Sequence, residues 1–353
     1  MFHFMRNTTF SGTRALRRAV GIVEERLPPR WRIEASLTQR EPHMTIVSPD
    51  GQRGTLALTA KAHVAPRDVA GLKQRFEDRA RTTFLFAPFL SPRTRVLLTE
   101  AGIHHADATG NLRLVMTVPG IFLEGRGADR SEHTSPRTLK SLKGAAAGRV
   151  VRALADFLPP FGIRQLAEAS LTPVSTVSRV VDLLDSEALL TRDAKKRIED
   201  VDWVHLLERW IEDYSLTGSN LVVSHLEPRG VPALLNHLSR LDRYAVTGSL
   251  AATGVTSARL AMVFVEDAIE AAEILELEPV DDGANVWLIE PFDAVVFDRT
   301  RWITPASRST PIVTAAPTQV VADLWTSPGR GPQEASALIQ EMRRSENAWR
   351  TDP

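Results

Sequence analysis

Cysteine is absent from the 353 residues of the chain. Its absence excludes disulfides, thiolate metal sites and a cysteine nucleophile. No apolar run is long enough to cross a membrane, so we expect no membrane partner. The first twenty residues are rich in arginine but lack the apolar core of a secretory signal. A chain without cysteine suits a reducing compartment, and we expect a cytoplasmic protein.

The chain also has no net charge, because its 43 basic residues balance 43 acidic ones. This balance argues at first sight against a nucleic-acid partner. Clustering matters more than the sum, however, because a local basic face releases counterions whatever the rest of the chain carries. Basic residues outnumber acids from Arg126 through Lys143 to Arg152, whereas residues 266–282 are strongly acidic. The middle of the chain is therefore the predicted nucleic-acid-binding part.

The length predicts two or three domains, and 43% hydrophobic with 24% charged residues is typical of a globular protein. Residues 125–136 are polar and rich in turn formers, which indicates a domain boundary. We predict an α/β and α+β multidomain fold. It has an α/β domain over residues 1–127, a central winged helix-turn-helix over 137–203, and a C-terminal α/β domain over 204–353.

Residues 163–197 carry the central prediction. The letters IRQLAEAS predict a short helix, LT a turn, and PVSTVSRVVDLLDSEA a second helix; LLTRDAKKRIEDVDW then predicts a hairpin. Thr172 can cap the second helix while Pro173 fills its first position, where a missing N–H costs nothing. A preceding helix is predicted from Thr138 to Phe157. The predicted buried face of the second helix comprises Val174, Val177, Val180, Val181, Leu183 and Leu184.

The opposite face of the second helix carries short hydroxyl side chains, which allow close approach to a DNA backbone, and an arginine that can reach a base edge. The hairpin places basic residues at its tip, where phosphate contacts are expected. The predicted DNA-binding residues are Arg164, Gln165, Thr172, Ser175, Thr176, Ser178, Arg179, Arg192, Lys195, Lys196 and Arg197. The alternative is a helical hairpin that only packs, followed by a solvated run of charges.

Strand and helix patterns alternate over the first 127 residues. The predicted elements are a helix over 14–26, strands over 31–39, 43–49 and 54–64, a helix over 66–81, a strand over 82–90, a helix over 91–103, a turn and strand over 104–117, and a strand over 120–127. This order resembles the restriction-endonuclease-like fold, in which a strand carries a Glu-x-Lys triplet that helps to hold a metal. Here the triplet would be Thr59-Ala60-Lys61, and without its carboxylate a divalent metal lacks ligand charge. We expect no nuclease activity, no metal and no cofactor.

Asp107-Ala108-Thr109-Gly110-Asn111 could form a binding site. However, Gly-Asn between two apolar runs is first of all hairpin chemistry, with Asp107 bonding nearby backbone amides. The adjacent His104 and His105 would point to opposite faces of a strand, so a shared metal is not expected.

The region after the hairpin begins with a helix over 201–214, whose face of Trp203, Leu206, Leu207, Trp210 and Ile211 predicts core packing. Strands are then predicted at 221–226, within 243–254, and at 258–266, 275–280, 285–291 and 294–297, with helices at 231–241 and 267–275. Two C-terminal helices are joined by a turn over 327–331.

Gly248-Ser249 resembles the opening of a nucleotidyltransferase site, which needs two acids one residue apart on the next strand. Glu266 and Asp267 are adjacent, so they would face opposite ways. We expect no transferase activity and no catalytic residue, and we interpret Gly-Ser as a helix start.

Several short motifs resemble AbiEi-type antitoxins of type IV toxin–antitoxin systems. Those that resemble the N-terminal part of the family are FAPFLSPR (86–93), EAGI (100–103) and DATGN (107–111). YAVTGSLAA (244–252), APTQ (316–319), the Asp323-Leu324 pair and PGRG (328–331) resemble its C-terminal part. The resemblance implies a winged-helix repressor of its own operon that opposes a nucleotidyltransferase-type toxin. The shortest family members start at the winged helix, so a stand-alone regulator that shares these parts is the alternative.

The sequence thus predicts a protein that binds double-stranded DNA sequence-specifically and regulates transcription, as an autorepressor of the antitoxin type. One alternative is an antitoxin that acts by protein interaction, its acidic residues 266–282 meeting a cognate toxin protein. A metal-dependent nuclease is the less favoured alternative. Either a monomer or a homodimer is compatible with the sequence.

Overall fold

The computed structural model describes residues 12–37, 41–77, 82–129, 141–253, 259–304 and 311–352. The chain divides into two compact units, one of residues 1–137 with 186–188 and one of residues 138–185 with 189–353. Both units mix helices with a seven-stranded sheet, which confirms the predicted α/β multidomain class. None of the helices in the described ranges is long and apolar enough to cross a membrane.

The first unit has a sheet covered by helices on both faces. Its elements in chain order are α1 (Gly12–Glu24), β1 (Arg32–Ser36), β2 (His43–Val47), β3 (Arg53–Ala60), α2 (Asp68–Glu77), β4 (Thr83–Ala87), α3 (Pro92–Glu100), β5 (His104–Asp107), β6 (Leu112–Met116) and β7 (Ile121–Gly125).

The strands of this sheet lie in sequence order. β1, β2 and β3 form an antiparallel meander, β3, β4 and β5 run parallel, and β5, β6 and β7 are again antiparallel. Side chains of β4 alternate between the two cores, because Phe84 and Phe86 pack in the core that contains α1, whereas Leu85 packs in the core that contains α2 and α3. This central strand is therefore buried on both faces.

The second unit contains the remaining elements. They are α4 (Ala145–Asp156), α5 (Ile163–Ala169), α6 (Val174–Ser186), β8 (Leu190–Arg192), β9 (Ile198–Val201), α7 (Trp203–Trp210), α8 (Leu216–Ser219), β10 (Leu221–Leu226), α9 (Val231–His237), β11 (Tyr244–Thr247), α10 (Ser249–Thr253), β12 (Ala261–Val265), α11 (Ala268–Leu275), β13 (Glu278–Pro279), β14 (Val286–Glu290), β15 (Arg301–Ile303), β16 (Ile312–Thr314), α12 (Pro317–Trp325), α13 (Gly331–Arg344) and α14 (Glu346–Trp349). Short 3₁₀ helices span Leu238–Arg240 and Ala294–Phe297. The larger sheet has the mixed order β13-β10-β14-β12-β11-β16-β15, and β8 and β9 form a separate hairpin.

The predicted strand over 294–297 is wrong. The side chain of Asp293 accepts a hydrogen bond from the Val295 amide at 3.0 Å, and the buried run curls into a 3₁₀ turn. A short apolar run cannot be assigned to strand or helix from periodicity alone. The predicted helix from Thr138 begins at Ala145, whereas Thr138 itself and most of the predicted 125–136 boundary lie outside the described residues.

One core joins the helices around α6 to the C-terminal helices. Trp203 and Trp210 of α7 are buried in it as predicted. The same core contains Val321 of α12, Ile339 of α13 and Trp349 of α14. The central and C-terminal regions of the sequence-based division thus share apolar side chains within one compact unit.

Candidate nucleic-acid interface

The helix–hairpin segment, residues 163–201, consists of α5, a turn, α6 and the β8–β9 hairpin. In the turn, Leu171 has a positive φ of 47° and a side chain 77% exposed. Its carbonyl accepts a 3.0 Å hydrogen bond from Nη1 of Arg149 on α4. The turn between the two helices is therefore held against α4.

The inner face of α6 is apolar. The predicted buried residues Val177, Val180, Val181, Leu183 and Leu184 are confirmed. The predicted burial of Val174 is wrong, since this residue is 49% exposed. Side chains in a helix lean toward its N-terminus. The side chain of the first helical residue therefore projects beyond the helix end instead of over a preceding turn.

The outer face of α6 carries the predicted hydroxyl residues and one arginine. Ser175 and Arg179 are exposed, and Thr176 and Ser178 are half-buried. Nε of Arg179 donates to the Ser175 carbonyl at 3.2 Å. This bond holds the arginine stem along the helix, and the two Nη groups have no acidic partner in the described part of the chain.

Thr172 does not belong to this face. It is only 5% exposed, and its hydroxyl donates to the Ser170 carbonyl at 2.9 Å. The amides of Thr176 and Val177 instead bond to the carbonyl of Pro173, at 2.8 and 3.1 Å. The predicted DNA contact of Thr172 is therefore corrected, because its side chain is buried in the turn.

Arg192 is likewise engaged inside the protein. Its Nη2 donates to Oδ1 of Asp182 at 2.7 Å and lies 3.9 Å from Asp185. Only 18% of the side chain is exposed. The predicted phosphate contact of Arg192 is therefore corrected, because this side chain connects β8 to α6.

The hairpin tip presents three cations. Oδ1 of Asp193 accepts hydrogen bonds from the amides of Lys195 at 2.9 Å and Arg197 at 2.8 Å, while Lys196 takes a left-handed φ of 62°. Nη2 of Arg197 donates to the Pro160 carbonyl at 3.1 Å. The Lys195 and Lys196 side chains are exposed and have no acidic partner in the described ranges. A closed turn thus holds two free ammonium groups in solvent.

The start of α5 contributes the remaining predicted residues. Oε1 of Gln165 accepts a 2.9 Å hydrogen bond from the Gly162 amide, so this side chain helps to cap the helix. Arg164 is exposed beside it.

The N-terminus of α4 lies beside α6 and was not predicted from the sequence as part of this interface. A groove of about 260 Å³ is lined by Lys143, Gly144 and Ala145 on one side and by Thr176 and Arg179 of α6 on the other. Gly144 precedes the helix with a φ of 96° and offers no capping side chain. The first-turn amides of an uncapped helix can bind a phosphate. Gly144 could have indicated this helix start in the sequence, but the predicted helix began at Thr138 and therefore included Gly144 in its interior.

Asp213 fixes the segment that enters α4. Its carboxylate accepts hydrogen bonds from the Ser141 hydroxyl at 2.9 Å and the Leu142 amide at 2.7 Å. Burial raises the pKa of Asp213, but these bonds and Arg209 lower it by more, so its pKa lies below the ordinary value. The carboxylate is therefore held ionised where the groove begins.

The basic middle of the chain is smaller than predicted, because Arg152 is fully buried. It bonds to Asp156 at 3.1 Å and to Gln319 Oε1 at 2.8 Å. Several acids of the helix–hairpin segment are also engaged: Asp182 and Asp185 with Arg192, and Asp193 in the hairpin turn. The exposed Glu168, Glu199 and Asp200 remain. Among the described residues, this segment therefore presents exposed cations without acidic partners at Arg179 and the hairpin tip, together with these three exposed acids.

The motif at 107–111 is structural. Asp107 is fully buried and accepts hydrogen bonds from the amides of Leu90, Thr109 and Asn111, at 2.9 to 3.2 Å, and from Asn111 Nδ2 at 2.8 Å. These bonds confirm the prediction that Asp107 bonds nearby amides and that the motif joins two antiparallel strands. No group of three or more potential metal ligands occurs in the described ranges. The Lys61 amide bonds to the Phe86 carbonyl at 2.9 Å.

Gly248-Ser249 starts a helix, as predicted, since α10 begins at Ser249. Glu266 forms a 3.0 Å ion pair with Arg243. Asp267 caps α11 by accepting the amides of the next helical residues at 2.9 Å. Both acids therefore have structural partners.

Comparison with protein-family models, with curated proteins and with solved structures found no match.

Proposed function

We propose that the chain is a winged-helix protein that binds double-stranded DNA sequence-specifically and regulates transcription. In this proposal, α4, α5, α6 and the β8–β9 hairpin form the winged helix, and the first unit is a restriction-endonuclease-like domain without catalytic role. The observation that carries the proposal is the pairing pattern of the helix–hairpin segment. Its acids at 182, 185 and 193 are engaged, whereas Arg179, Lys195 and Lys196 face solvent without acidic partners in the described residues.

The recognition element is α6. A single helix fits the major groove of B-DNA, and residues near its N-terminus reach base edges. Ser175 and Ser178 are small enough to let the helix approach, and Arg179 lies one turn further along. A guanidinium can donate two hydrogen bonds to O6 and N7 of a guanine. The exposed Leu171 and Val174 stand at the same helix end and suit contact with a thymine methyl group.

The flanking groups suit phosphate. Lys195, Lys196 and Arg197 are presented by the hairpin, and Lys143 stands beside the uncapped N-terminus of α4. Arg164 at the start of α5 is a further exposed cation. If these five cations each neutralise one phosphate, the slope of log K against log salt is about −4.5, because each contact contributes about −0.9. A fourfold increase in salt then weakens binding roughly 500-fold.

The test starts from a selection of bound duplexes out of a random pool with the full chain, followed by fluorescence anisotropy on the selected duplex. We expect one enriched motif, binding much tighter than to a scrambled duplex, and the steep salt dependence given above. Arg179→Ala should remove the base preference at one position of the enriched motif, whereas Lys195→Gln should weaken binding to all duplexes alike. A pool that stays random, or binding that is insensitive to salt, would overturn the proposal.

A second candidate function, an antitoxin that binds a toxin protein, is favoured by the exposed face of α11. Ile269 is 73% exposed and Ile274 37% exposed, and Glu270 and Glu273 between them have no basic partner in the described residues. Further exposed acids follow at Glu278, Asp281 and Asp282. An apolar and acidic helix face suits a partner with an apolar, basic surface.

Co-expression with the product of the neighbouring gene tests this second function by rescue of growth and co-purification. Glu270→Lys with Glu273→Lys should abolish both and leave DNA binding unchanged. The matched control is Glu341→Lys on α13. Loss of rescue in the control, or rescue by the double variant, would exclude the α11 face.

A further inference from the structure

A cleft of about 610 Å³ lies in the first unit along α3 and the ends of β5, β6 and β7. The residues that line it include Arg95, His105, Arg113, Glu100 and Arg126. All of these residues belong to one compact unit. The DNA-binding proposal uses none of them.

His105 is a buried polar residue that lines this cleft. It is 2% exposed, and its Nδ1 lies 3.0 Å from the Ile103 carbonyl. A carbonyl only accepts, so Nδ1 carries the proton and Nε2 has the lone pair. Burial lowers the pKa of His105 below its ordinary value, and the positive charges of Arg95 and Arg113 lower it further, although the bond to Ile103 and the charge of Asp107 oppose the shift. The ring is therefore neutral at pH 7. Within the described residues Nε2 has no hydrogen-bond partner, and His105 lines the cleft.

The three arginines that line the cleft differ in how firmly other side chains hold them. Arg95 bonds to Asn111 and forms an ion pair with Asp129. Arg113 lies 3.8 Å from Glu124, too far for a hydrogen bond, and Arg126 is exposed without an acidic partner in the described ranges. Arg126 is thus available to an anion, while Arg113 is held only by a long ion pair and by the Phe122 ring, 5.5 Å from its guanidinium carbon. Glu100, Glu124 and Asp129 also line the cleft, and their carboxylates would repel a polyanion but accept hydrogen bonds from hydroxyl or amino groups.

We propose that this cleft binds a small molecule that joins one anionic group to neighbouring hydroxyl donors, the chemistry of a sugar phosphate. The phosphate contacts Arg113 and Arg126, a ligand hydroxyl donates to Nε2 of His105, and a further hydroxyl donates to one of the carboxylates that line the cleft. This site is independent of the DNA-binding function.

The test uses the full chain with ribose 5-phosphate as probe, and inorganic phosphate, ribose and chloride at matched ionic strength as comparisons. Titration calorimetry should show saturable binding of ribose 5-phosphate, at least about tenfold tighter than of the other probes, because two kinds of contact are combined. In nitrogen-15 spectra the Nε2 resonance of His105 should move on saturation.

Variants separate a ligand contact from a structural role. His105→Asn keeps an amide N–H near the position of Nδ1 and deletes Nε2. It should therefore weaken the binding of ribose 5-phosphate by about tenfold, which corresponds to the loss of one hydrogen bond, with little change in Tm. Arg126→Gln should weaken it similarly, and Arg53→Gln, an exposed arginine of the same unit, should not. No saturable binding, equal binding of inorganic phosphate, or an unmoved Nε2 resonance overturns the proposal.

Discussion

Nη2 of Arg192 donates to Oδ1 of Asp182 at 2.7 Å, so an ion pair connects the first strand of the hairpin to the outer face of α6. The pair removes one cation from the surface proposed for DNA and at the same time fixes the hairpin beside α6, the proposed recognition helix. It lies at a partly exposed position, with 63% of the Asp182 side chain accessible. A pair of this kind contributes about 0.2–1 kcal/mol to stability.

Asp182→Asn should therefore release Arg192 to DNA. We expect the slope of log K against log salt to become steeper by about one unit, and the free energy of unfolding to fall by less than about 1 kcal/mol. Anisotropy over a salt series and urea unfolding measure the two effects. An unchanged slope would show that Arg192 stays engaged elsewhere.

Leu171 and Val174 provide a prediction about sequence preference. Replacing a thymine in the selected duplex by deoxyuridine removes only a methyl group, and we expect this to weaken binding by the wild-type chain. Leu171→Asn or Val174→Ser should bind the two duplexes alike, because the apolar partner is gone. Asn tolerates the left-handed φ of 47° at position 171, so Tm should not fall. A thymine preference that persists in both variants would exclude these contacts.

The segment 163–201 was largely predictable from sequence, because local signals agree there. The spacing of Val177, Val181 and Leu184 fixes the inner face of α6, and Asp193 with its following basic residues marks the hairpin turn. Local patterns could not show that Thr172 is buried or that Arg192 pairs with Asp182. Both depend on contacts that form only when the turn and hairpin close onto the helices.

The shared core of the second unit was not predictable either. Arg152 sits on an amphipathic helix where a solvated position would be expected. It is instead fully buried, because Asp156, Thr318 and Gln319 supply its hydrogen bonds. Partners more than 160 residues away along the chain leave no periodic signal in a local window. For the same reason, the sequence separated α4 and α12 into different domains although their side chains bond to each other.

Asp323 gives a prediction about pH. Its buried carboxylate accepts hydrogen bonds from the Tyr214 hydroxyl and the Thr247 hydroxyl, both at 2.6 Å, and from Nε2 of Gln319 at 2.8 Å. Burial raises its pKa from 3.8 to about 6, although these bonds and Arg152 oppose the shift. The folded state thus binds this proton more tightly than the unfolded state. The associated stability is fully present below pH 3.8 and is lost as the pH rises through about 6.

Asp323→Asn should remove that loss, because asparagine does not ionise and Thr247 can turn its hydroxyl to accept. We expect the free energy of unfolding of the variant, relative to wild type, to rise by on the order of 2 kcal/mol between about pH 4 and pH 7. Urea unfolding at a series of pH values measures it. The lowered pKa values of Asp156 and Asp213 act in the opposite direction in acid, but they are common to both proteins and cancel in the difference. If the free energies of unfolding of the two proteins changed in parallel with pH, the raised pKa of Asp323 would be contradicted.

The absence of cysteine makes a direct test of the proposed DNA-binding face possible, because each introduced cysteine is the single labelling site of the chain. A DNA-cleaving reagent can be attached at Ser175→Cys on α6, at Ala194→Cys in the hairpin turn, and at the exposed Ser336→Cys on α13 as control. The proposal predicts cleavage inside the selected motif from position 175, cleavage of the flanking backbone from position 194, and none above background from position 336. Cleavage from position 336 alone, or equal cleavage from all three, would contradict the proposal.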